Sequence, residues 1–479
     1  MLKGLEVAEI LKSNAVSITN EDRWDGEYYK KVFLQNEKII HKINTVKLKD
    51  LSFYIKKGIF DLPPSNYQNS GVPLIRTSEI KNPTIDFTST VFISHKVNSE
   101  NDKTILFPND LVFTKIGAYI GDVALLPSDY SQYNFSQNVA GVKLKFPDID
   151  GPFILAFFLS NLGKNQIIRS IMLSGQGKLE LEDIRNYDIP VVTKHFKLKI
   201  KEVFEIKEKY VNDSTSKYQQ AEKILFNTIG LENFTPNTDP INVKSFKDSF
   251  LVTGRLDAEY YQKKYEEVIE HIKSQKYDTL INLVNIKKSI EPGSDAYSDE
   301  GGLPFYRVAD YNKFGLSKPD KELKENFVAE NSELIEKLKP KQGTILFSKD
   351  GSVGTAYLLR KDIDGITSGA ILHLTIRDKK QIIPEYLTLA LNSKLVQMQA
   401  ERDAGGSIIL HWRVGEIENV VVPIIDYTKQ QEIAELVEES FRLKKQSENI
   451  LETAKRAVEI AIEENEVEAL KYIENANIN

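Results

Sequence analysis

The sequence of 479 residues contains no cysteine, two tryptophans and three methionines. Without cysteine the chain can form neither disulfide bonds nor thiolate ligands and nucleophiles. Its six histidines are scattered and lack the spacing of metal ligands. No run approaches the ~20 apolar residues of a membrane helix, and the charged start from Met1 to Leu11 is too polar for a signal peptide. These absences favour a cytoplasmic protein without a membrane or metal partner.

The sequence motifs of several enzyme classes are also missing. The segment Gly175-Gln176-Gly177-Lys178 lacks the spacing and the hydroxyl residue of a phosphate-binding P-loop. There is no Gly-x-Ser-x-Gly nucleophile elbow and no His-Glu-x-x-His zinc motif. A methyltransferase that flips a base would need a glycine-rich cofactor loop and an Asn/Asp-Pro-Pro-aromatic motif, and neither occurs. The sequence therefore predicts no catalytic residues and no cofactor.

Positive net charge, which many nucleic-acid binders have, is absent as well. The formal net charge is −6. From Asp426 to the end there are 13 acidic and 7 basic residues, a net of −6, so residues 1–425 are neutral overall. A neutral body can still carry a basic face. The charge is thus mild evidence against nucleic acid as the sole partner. The hydrophobic fraction of 41% is sufficient for two to four packed domains.

What the sequence does contain is a long internal repeat. Arg23–Lys31 returns as Arg255–Lys263 at an offset of 232, with six of nine positions identical. Three further pairs keep the same order at offsets of 231 to 234: Val72–Arg76 with Leu303–Arg307, Thr114–Gly121 with Ser348–Gly354, and Asp183–Pro190 with Glu416–Pro423. A period this long indicates two copies of one large unit rather than a solenoid.

Each copy has the same predicted layout. An amphipathic start is followed by short β-like runs punctuated by Gly, Pro, Asn and Asp, and the copy closes with a long helix. In the second closing helix Ile433, Ser440, Ala454 and Ala461 lie on a seam with the 3-4 spacing of a coiled coil. We predict that the two closing helices pair antiparallel, because a whole domain separates them; the alternative is that each packs on its own domain.

The predicted fold class is α+β, with two tandem domains of mixed α/β character made mostly of short strands. The predicted divisions are a first domain with an N-terminal extension at 1–195, a first long helix at 196–229, a linker at 230–254, a second domain at 255–426 and a second long helix at 427–479.

Polar residues recur at the predicted strand ends of both copies and form the candidate binding set. They are Arg, Lys, Gln, Asn, Ser and His, the side chains that contact phosphates and base edges in DNA. Gln137-Asn138 is aligned here with Thr367-Ser368, and Ser174–Lys178 with Ser407–His411. The candidates are Arg76, Lys115, Gln137, Asn138, Gln176, Lys178, Arg307, Lys349, Ser368, His411 and Arg413.

A structural role explains several of these residues equally well. Arg76 and Arg307 could anchor the fold through carboxylate pairs, and the glycines beside Lys115 and Lys349 could simply permit tight turns. The repeated Arg-x-Asp-x-Glu-Tyr-Tyr signature is more typical of a local salt bridge and aromatic staple than of a binding site. Positions where the copies differ, such as Lys178 against the stretch from His411 to Arg413, are better candidates for selecting a ligand.

These residues resemble the specificity subunit of Type I restriction–modification enzymes. The resemblance rests on the doubled order of several segments and covers nearly the whole chain. The segments are Val72–Ile80, Asp110–Gly117, Gly175–Leu181, Ile189-Pro190, Ile345–Gly354 and Val422-Pro423. The start from Met1 to Asn44 departs from the common pattern.

The resemblance implies a non-catalytic chain that reads double-stranded DNA. Each globular unit would be a target-recognition domain for one half of a split sequence, and the two helices would form the spacer between half-sites. Two adenine-N6 methyltransferase subunits and a translocating restriction subunit would bind the chain. Other readings remain open at this stage: a paired DNA-recognition subunit of another phage-defence or modification assembly, a duplicated adaptor that binds only proteins, and an unrecognised nuclease.

Overall fold

The computed structural model describes residues 26–171, 177–237, 239, 241–298, 301–406 and 409–476. They form two compact units. The first unit combines residues up to Tyr210 with those from Lys445 onward, and the second runs from Val211 to Lys444. Two long helices, α6 (Lys194–Thr228) and α15 (Tyr427–Glu463), each contribute one part to each unit.

In the first unit, the described residues of the first half of the chain form eleven strands and most of the unit's helices. Its strands are β1 (Thr45–Lys47), β2 (Ser52–Lys57), β3 (Val72–Ile75), β4 (Ile80–Lys81), β5 (Thr84–Ile85), β6 (Val91–Ile93), β7 (Leu111–Thr114), β8 (Val123–Leu125), β9 (Asn134–Phe135), β10 (Val139–Leu144) and β11 (Asp188–Pro190). Its helices, besides its parts of α6 and α15, are α1 (Lys31–Ile40), α2 (His95–Glu100), α3 (Pro147–Leu159), α4 (Asn161–Ser170), α5 (Leu181–Arg185) and α16 (Glu466–Asn475).

The second unit contains a similar set of strands and helices. Its strands are β12 (Tyr277–Thr279), β13 (Val284–Lys288), β14 (Tyr297–Ser298), β15 (Leu303–Tyr306), β16 (Tyr311–Asn312), β17 (Gly315–Leu316), β18 (Glu322–Leu323), β19 (Ile345–Ser348), β20 (Ala356–Leu358), β21 (Ile366–Thr367), β22 (Ile371–Ile376) and β23 (Val421–Pro423). Its helices are α7 (Phe250–Thr253), α8 (Lys263–Lys273), α9 (Leu280–Leu283), α10 (Glu325–Glu330), α11 (Ser332–Leu338), α12 (Pro384–Asn392), α13 (Lys394–Asp403) and α14 (Val414–Glu418).

The main sheet of each unit has four antiparallel strands in the same order. It is β2-β10-β7-β8 in the first unit and β13-β22-β19-β20 in the second. A smaller sheet contains a parallel pair in each unit, β3 with β9 and β15 with β21. The strand pairs β1-β11 and β4-β5 likewise correspond to β12-β23 and β16-β17. This shared topology confirms the predicted α+β fold of two similar units.

The apolar run of β7 is explained by burial of both faces of the main sheet. Leu111 and Phe113 pack into the core that contains α3, whereas Val112 between them packs into a second core with Phe135. Successive side chains of a strand point to opposite faces, so a strand covered on both sides is apolar throughout. Strand β19 is buried in the same way on both faces.

One pair of neighbouring core positions is filled by different side chains in the two copies. In the first unit a Cβ atom on Gly141 would lie 2.2 Å from the ring of Phe135, so only glycine fits beside that ring. The equivalent pair in the second unit is Thr367 and His373, whose hydroxyl and ring nitrogen are hydrogen-bonded at 2.8 Å. The second copy therefore fills this space with a buried polar pair.

The two long helices pack against each other antiparallel, as predicted. In the second unit Ser214 of α6 is hydrogen-bonded to Ser440 of α15, and the later residues Tyr218 and Leu225 of α6 share a core with the earlier residues Ile433 and Val437 of α15, so the numbering runs in opposite directions. The predicted seam residues Ile433, Ser440, Ala454 and Ala461 are buried. In the first unit the early part of α6 and the late part of α15 share one apolar core.

The ends of these helices have local causes. Helix α6 ends before Gly230, which adopts a left-handed φ of 68° that glycine tolerates best. Helix α15 ends at Glu463 rather than continuing to Asn475, because the side chain of Asn465 accepts a hydrogen bond from Glu468 N and starts α16. The prediction of one uninterrupted helix was wrong at this point.

The repeated Arg-x-Asp-x-Glu-Tyr-Tyr signature is structural. In the second copy Arg255 forms two hydrogen bonds with Asp257, at 2.8 and 2.7 Å. The ring of Tyr260 contacts two guanidinium groups, that of Arg255 at 4.5 Å and that of Arg402 at 5.0 Å. In the first copy Arg23 and Asp25 lie outside the described residues, but the ring of Tyr28 contacts Arg169 in the same way, at 4.1 Å. Residues 26–40 therefore have a counterpart in the second copy.

Candidate nucleic-acid interface

The two predicted arginines follow equivalent strands and hold buried carboxylates. Arg76 follows β3 and donates hydrogen bonds from its main-chain N and its Nη2 to Glu79, both at 2.7 Å, and from Nη2 to Ser89 O at 2.9 Å. Glu79 is fully buried. The hydrogen bond with Glu79 raises the pKa of Arg76. This guanidinium is largely engaged within the protein.

Arg307 forms a looser version of the same arrangement after β15. Its main-chain N donates to Asp310 Oδ2 at 2.7 Å, and its Nε lies 3.8 Å from the same oxygen. Its Nη2 is 3.6 Å from Asp320, which is exposed. Arginine followed three residues later by a buried carboxylate is thus a shared structural element of both copies.

In the first unit Lys115 joins three predicted segments. It follows β7, and its main-chain N donates to Asn138 O at 2.9 Å. Leu179 N donates to Lys115 O at 3.0 Å, and Ile116 forms an isolated antiparallel bridge with Lys178. Because these contacts are made by main-chain atoms, the fold places the side chains of Lys115, Asn138 and Lys178 at the same edge of the main sheet.

Three charged side chains act on Lys115 among the residues that the structure describes: the cations Lys178 and Lys57 and the carboxylate Glu180. Burial lowers the pKa of Lys115, which Glu180 opposes and the positive charges of Lys178 and Lys57 reinforce. Lys178 is half exposed and forms an ion pair with Glu180. The excess of cations beside glycine-containing turns suits a negatively charged ligand.

In the second unit the same contacts surround Lys349. Its main-chain N donates to Ala370 O at 2.9 Å, and Trp412 N donates to Lys349 O at 2.7 Å. Asp350 and His411 form the bridge that corresponds to Ile116 and Lys178. The alignment of Lys178 with His411 therefore follows from main-chain geometry.

The side chains in the second unit differ from those of the first. Lys349 Nζ forms an ion pair with Asp350 Oδ2. The other carboxylate oxygen of Asp350 lies 2.9 Å from Nδ1 of His411. The His411 side chain is 63% exposed. A lysine, an aspartate and a histidine thus form a continuous polar chain from the buried strand end to the surface.

The predicted alignment of Gln137-Asn138 with Thr367-Ser368 was wrong by two residues. Ser136 N donates to Ile75 O at 2.9 Å, and Ser368 N donates to the equivalent Tyr306 O at 2.8 Å. Ser136 and Ser368 also form matching parallel bridges, with Ile59 and Ile290 respectively. The residues equivalent to Gln137-Asn138 are therefore Gly369-Ala370.

The remaining candidates differ in their accessibility. Asn138 is exposed and Gln137 is partly exposed. Ser368 is buried, whereas Arg413 is 78% exposed, with its Nε 3.7 Å from Glu416. Gln176 lies outside the described residues. The four glycines of the Lys115 and Lys349 turns all have positive φ, which accounts for their presence by backbone geometry alone; they are Gly117, Gly121, Gly351 and Gly354.

Sequence reasoning missed three residues at these strand edges: Lys57 and Glu180 in the first unit and Asp350 in the second. Lys57 acts on Lys115 electrostatically, and its Nζ lies 5.0 Å from the centre of the exposed Phe60 ring. The repeat could have revealed it, because Lys57-Gly58-Ile59 returns as Lys288-Ser289-Ile290 at an offset of 231. Asp350 had no such signal, since the first copy has isoleucine there.

No group of three or more His, Cys, Asp or Glu side chains is arranged to hold a metal ion among residues that the structure describes. Within the same residues no helix is both long and apolar enough to cross a membrane.

Comparison with known protein families identifies the family of this chain. The sequence model of the Type I restriction modification DNA specificity domain matches twice, at residues 40–197 and 275–453. The chain belongs to this family. Both matches contain the full set of equivalent strand ends described above. The family is defined by DNA specificity, so membership confirms the predicted role as a non-catalytic specificity subunit.

Three solved structures are similar to this chain at low sequence identity and with low TM-scores. The S subunit of the Type I restriction–modification system from M. genitalium shares 15% identity, with a TM-score of 0.38 over 88% of this chain and 96% of that one. The HsdS subunit from Thermoanaerobacter tengcongensis shares 15% identity, with a TM-score of 0.27 over 90% and 96%. A structure of complex assembly and conformational transition of the type I R-M system shares 14%, with a TM-score of 0.28 over 88% and 97%. A search of curated sequences gave no match. The family assignment rests on the two sequence matches.

Proposed function

We propose that the chain is the subunit of a Type I restriction–modification complex that reads a bipartite double-stranded DNA target, with each copy reading one half-site. The observation that carries the proposal is the doubled specificity domain, whose strand ends are equivalent in main-chain geometry but differ in side chains. Two copies with identical polar edges would favour identical half-sites. Different side chains on one framework allow two different half-sites.

The proposed DNA contacts are the polar residues of the two strand edges. In the first copy they are Lys115, Gln137, Asn138, Lys178 and, outside the described residues, Gln176; in the second copy they are Lys349, His411 and Arg413. Ser368 is buried, and we assign it to the support of the second edge. We assign Arg76 and Arg307 to the support of these edges through Glu79 and Asp310. Phosphate contacts would set the position of each domain, and base contacts would select the sequence.

Two domains are needed because one domain that reads only a few base pairs cannot discriminate its target from the other sites of a genome. A mismatched base pair costs roughly 1–3 kcal/mol, and a genome offers about a million or more competing sites. The discrimination of two recognition domains adds when they are held together. We propose that α6 and α15 serve as the spacer that holds them, and we retain the predicted boundaries at 195, 229, 254 and 426 as part of the proposal.

The proposed partners are adenine-N6 methyltransferase subunits, two per chain, and a restriction subunit that translocates DNA. This chain has a net charge of −6, and phosphate neutralisation dominates much of the affinity of DNA-binding proteins. Methyltransferase subunits that neutralise part of the phosphate charge would allow a chain of negative net charge to bind DNA within the complex. The proposed location is the cytoplasm, where these partners and the DNA are available.

The deciding experiment is to express the chain with a methyltransferase subunit of its system and to map methylated adenines by single-molecule sequencing. We expect two short specific sequences separated by a fixed gap of unspecified bases. Exchanging residues 46–190 for those of a relative should change one half-site and leave the other intact. Methylation at a continuous site, or no sequence-specific, salt-sensitive DNA binding with or without the partner, would refute the proposal.

A further inference from the structure

Asp350 in the second copy contacts an ammonium group with one carboxylate oxygen and an imidazole ring with the other. Its Oδ2 forms an ion pair with Lys349 Nζ, and Lys349 is largely buried at the end of β19. Its Oδ1 lies 2.9 Å from Nδ1 of His411. A carboxylate that is paired with an ammonium group accepts hydrogen bonds, so this geometry assigns the donor role in the second contact to Nδ1 of His411. Two contacts on two different oxygens fix the orientation of the carboxylate.

The chemistry that His411 presents to a ligand follows from this arrangement. In a neutral imidazole one nitrogen donates and the other accepts. With its hydrogen on Nδ1, a neutral His411 ring presents Nε2 as the acceptor. Nε2 has no hydrogen-bond partner among the described residues, and the side chain is 63% exposed. The second copy therefore offers one oriented acceptor at this strand edge.

The first copy offers the opposite chemistry at the equivalent position. The bridge between Ile116 and Lys178 corresponds to the bridge between Asp350 and His411. Lys178 has an ammonium group, which only donates, and Glu180 holds it by an ion pair. Ile116 cannot take the place of Asp350 as an acceptor, so the two differences occur together.

We propose that Lys178 and His411 occupy the same base-reading position in the two copies and select bases of opposite hydrogen-bonding character. Lys178 reads guanine, whose O6 and N7 accept hydrogen bonds in the major groove. His411 reads the exocyclic amino group of adenine or cytosine on the strand that it contacts. Asp350 is the positioning residue that keeps Nε2 an acceptor. This inference rests on the proposed function and names the base chemistry of each half-site at one position.

The test is an exchange of the position between copies, read out on a DNA library with both half-sites randomised. The double variant Asp350→Ile with His411→Lys gives the second copy the two bridge side chains of the first. We expect one base pair of the second half-site to change, with guanine favoured about fivefold or more on the contacted strand. The other positions and the first half-site should keep their preferences. The reciprocal variant, Ile116→Asp with Lys178→His, should change one base pair of the first half-site only.

Two further variants separate reading from support. Asp350→Asn can donate to Nδ1 and so permits the hydrogen on Nε2; we expect it to broaden the preference at the same single position without affecting the rest. His411→Gln, with an amide that both donates and accepts, should broaden that position as well. Should the double exchange fail to assemble, these two variants decide the question. His95→Lys, an exposed histidine on α2 outside the proposed contacts, is the matched control for added charge.

The outcomes distinguish this inference from the proposed function. A wild-type complex without a bipartite site refutes the proposed function itself. A bipartite site whose base preferences are unaltered in all four variants refutes the inference alone. A uniform loss of affinity with unchanged preferences would mean that Lys178 and His411 contact phosphate, and this too refutes it.

Discussion

Ser214 of α6 and Ser440 of α15 each donate a hydroxyl hydrogen to the main-chain carbonyl oxygen of the other, at 2.8 and 2.7 Å. Both side chains are buried, and their Oγ atoms are 3.1 Å apart. Serine is small enough to let two helix backbones approach, and the reciprocal hydrogen bonds satisfy both hydroxyls. The pair therefore specifies one register between the two helices.

This pair should show measurable coupling. Each single change, Ser214→Ala or Ser440→Ala, removes one of the two reciprocal hydrogen bonds and should lower the free energy of unfolding by about 1 kcal/mol. The double change should cost less than the sum of the singles, because the two hydroxyls interact. Denaturant unfolding of the full chain would provide the double-mutant cycle. Ser216→Ala, on the exposed face of α6, is the control. Strictly additive effects would contradict the pairing.

The buried carboxylate beside Arg76 should be a stability determinant of the first unit. Glu79→Gln leaves Arg76 in place but removes the charge from a fully buried site. We expect the free energy of unfolding to fall by roughly 3 kcal/mol, the usual cost of breaking a buried ion pair from one side. Hydrogen exchange would show the loss of protection in β3 and β6. Asp310→Asn should have a smaller effect, confined to the second unit, because Arg307 holds this carboxylate more loosely. A change in base preference, with stability unaltered, would show instead that Glu79 acts in DNA reading.

The second unit should lose stability on acidification. Burial lowers the pKa of His373 to about 4, whereas an unfolded histidine titrates near 6.5. Between these values the unfolded state binds more protons, so the free energy of unfolding decreases as the pH falls from 6.5 to 4. At pH 5 the loss should be about 2 kcal/mol. Hydrogen exchange in β22, corrected for intrinsic rates, would measure it, and His373→Gln should abolish this part of the pH dependence.

The first unit provides the internal control for this pH effect. The residue equivalent to His373 is Gly141, which does not titrate. Burial raises the pKa of Asp110 to about 6, against two hydrogen bonds that its carboxylate accepts from Phe107 N and Leu144 N. Its folded state therefore binds more protons below pH 6, and this contribution to stability increases as the pH falls. Parallel losses in β10 and β22 would contradict the assignment to His373.

Shortening both long helices should alter spacing and not base choice. Removing Val211–Lys217 and Val437–Leu443 deletes one layer of seven residues around the Ser214 and Ser440 pair from each helix. Seven helical residues span about 10 Å, which corresponds to about three base pairs of DNA. We expect methylation mapping to give the same half-sites with a shorter gap. Deleting the segment from α6 alone should disturb the pairing and reduce complex assembly. Altered bases in either half-site would rule out a spacer role.

Much of the fold could be predicted because the repeat doubled each weak signal. The order of strands, the closing helices and the seam through Ser440 and Ala454 all followed from residues close in sequence. The helix end at Glu463 was predictable in principle, since Asn465 and Glu468 have the spacing of a helix start, but the absence of Gly and Pro concealed it.

The features that escaped sequence reasoning depend on contacts between distant residues. The exchange of Phe135 and Gly141 for Thr367 and His373 conserves neither size nor polarity at either position alone. The shift of Gln137-Asn138 by two residues arose because polar residues were aligned by type, whereas the hydrogen bond from Ser136 to Ile75 fixes the true register. Asp350 became recognisable only through its distance to His411.

The first unit is built from two separate segments of the chain, and this determines the order in which the two units can complete their folding. The second unit is a continuous stretch, Val211–Lys444, whereas the first needs residues from Lys445 onward to complete a core that includes Ala454, Ala457 and Val458. Chains usually fold from the N-terminal domain as they leave the ribosome. In this chain the N-terminal segment of the first unit can complete its core only after the C-terminal segment has been synthesised. A chain that ended before Lys445 would therefore contain all residues of the second unit but an incomplete first unit.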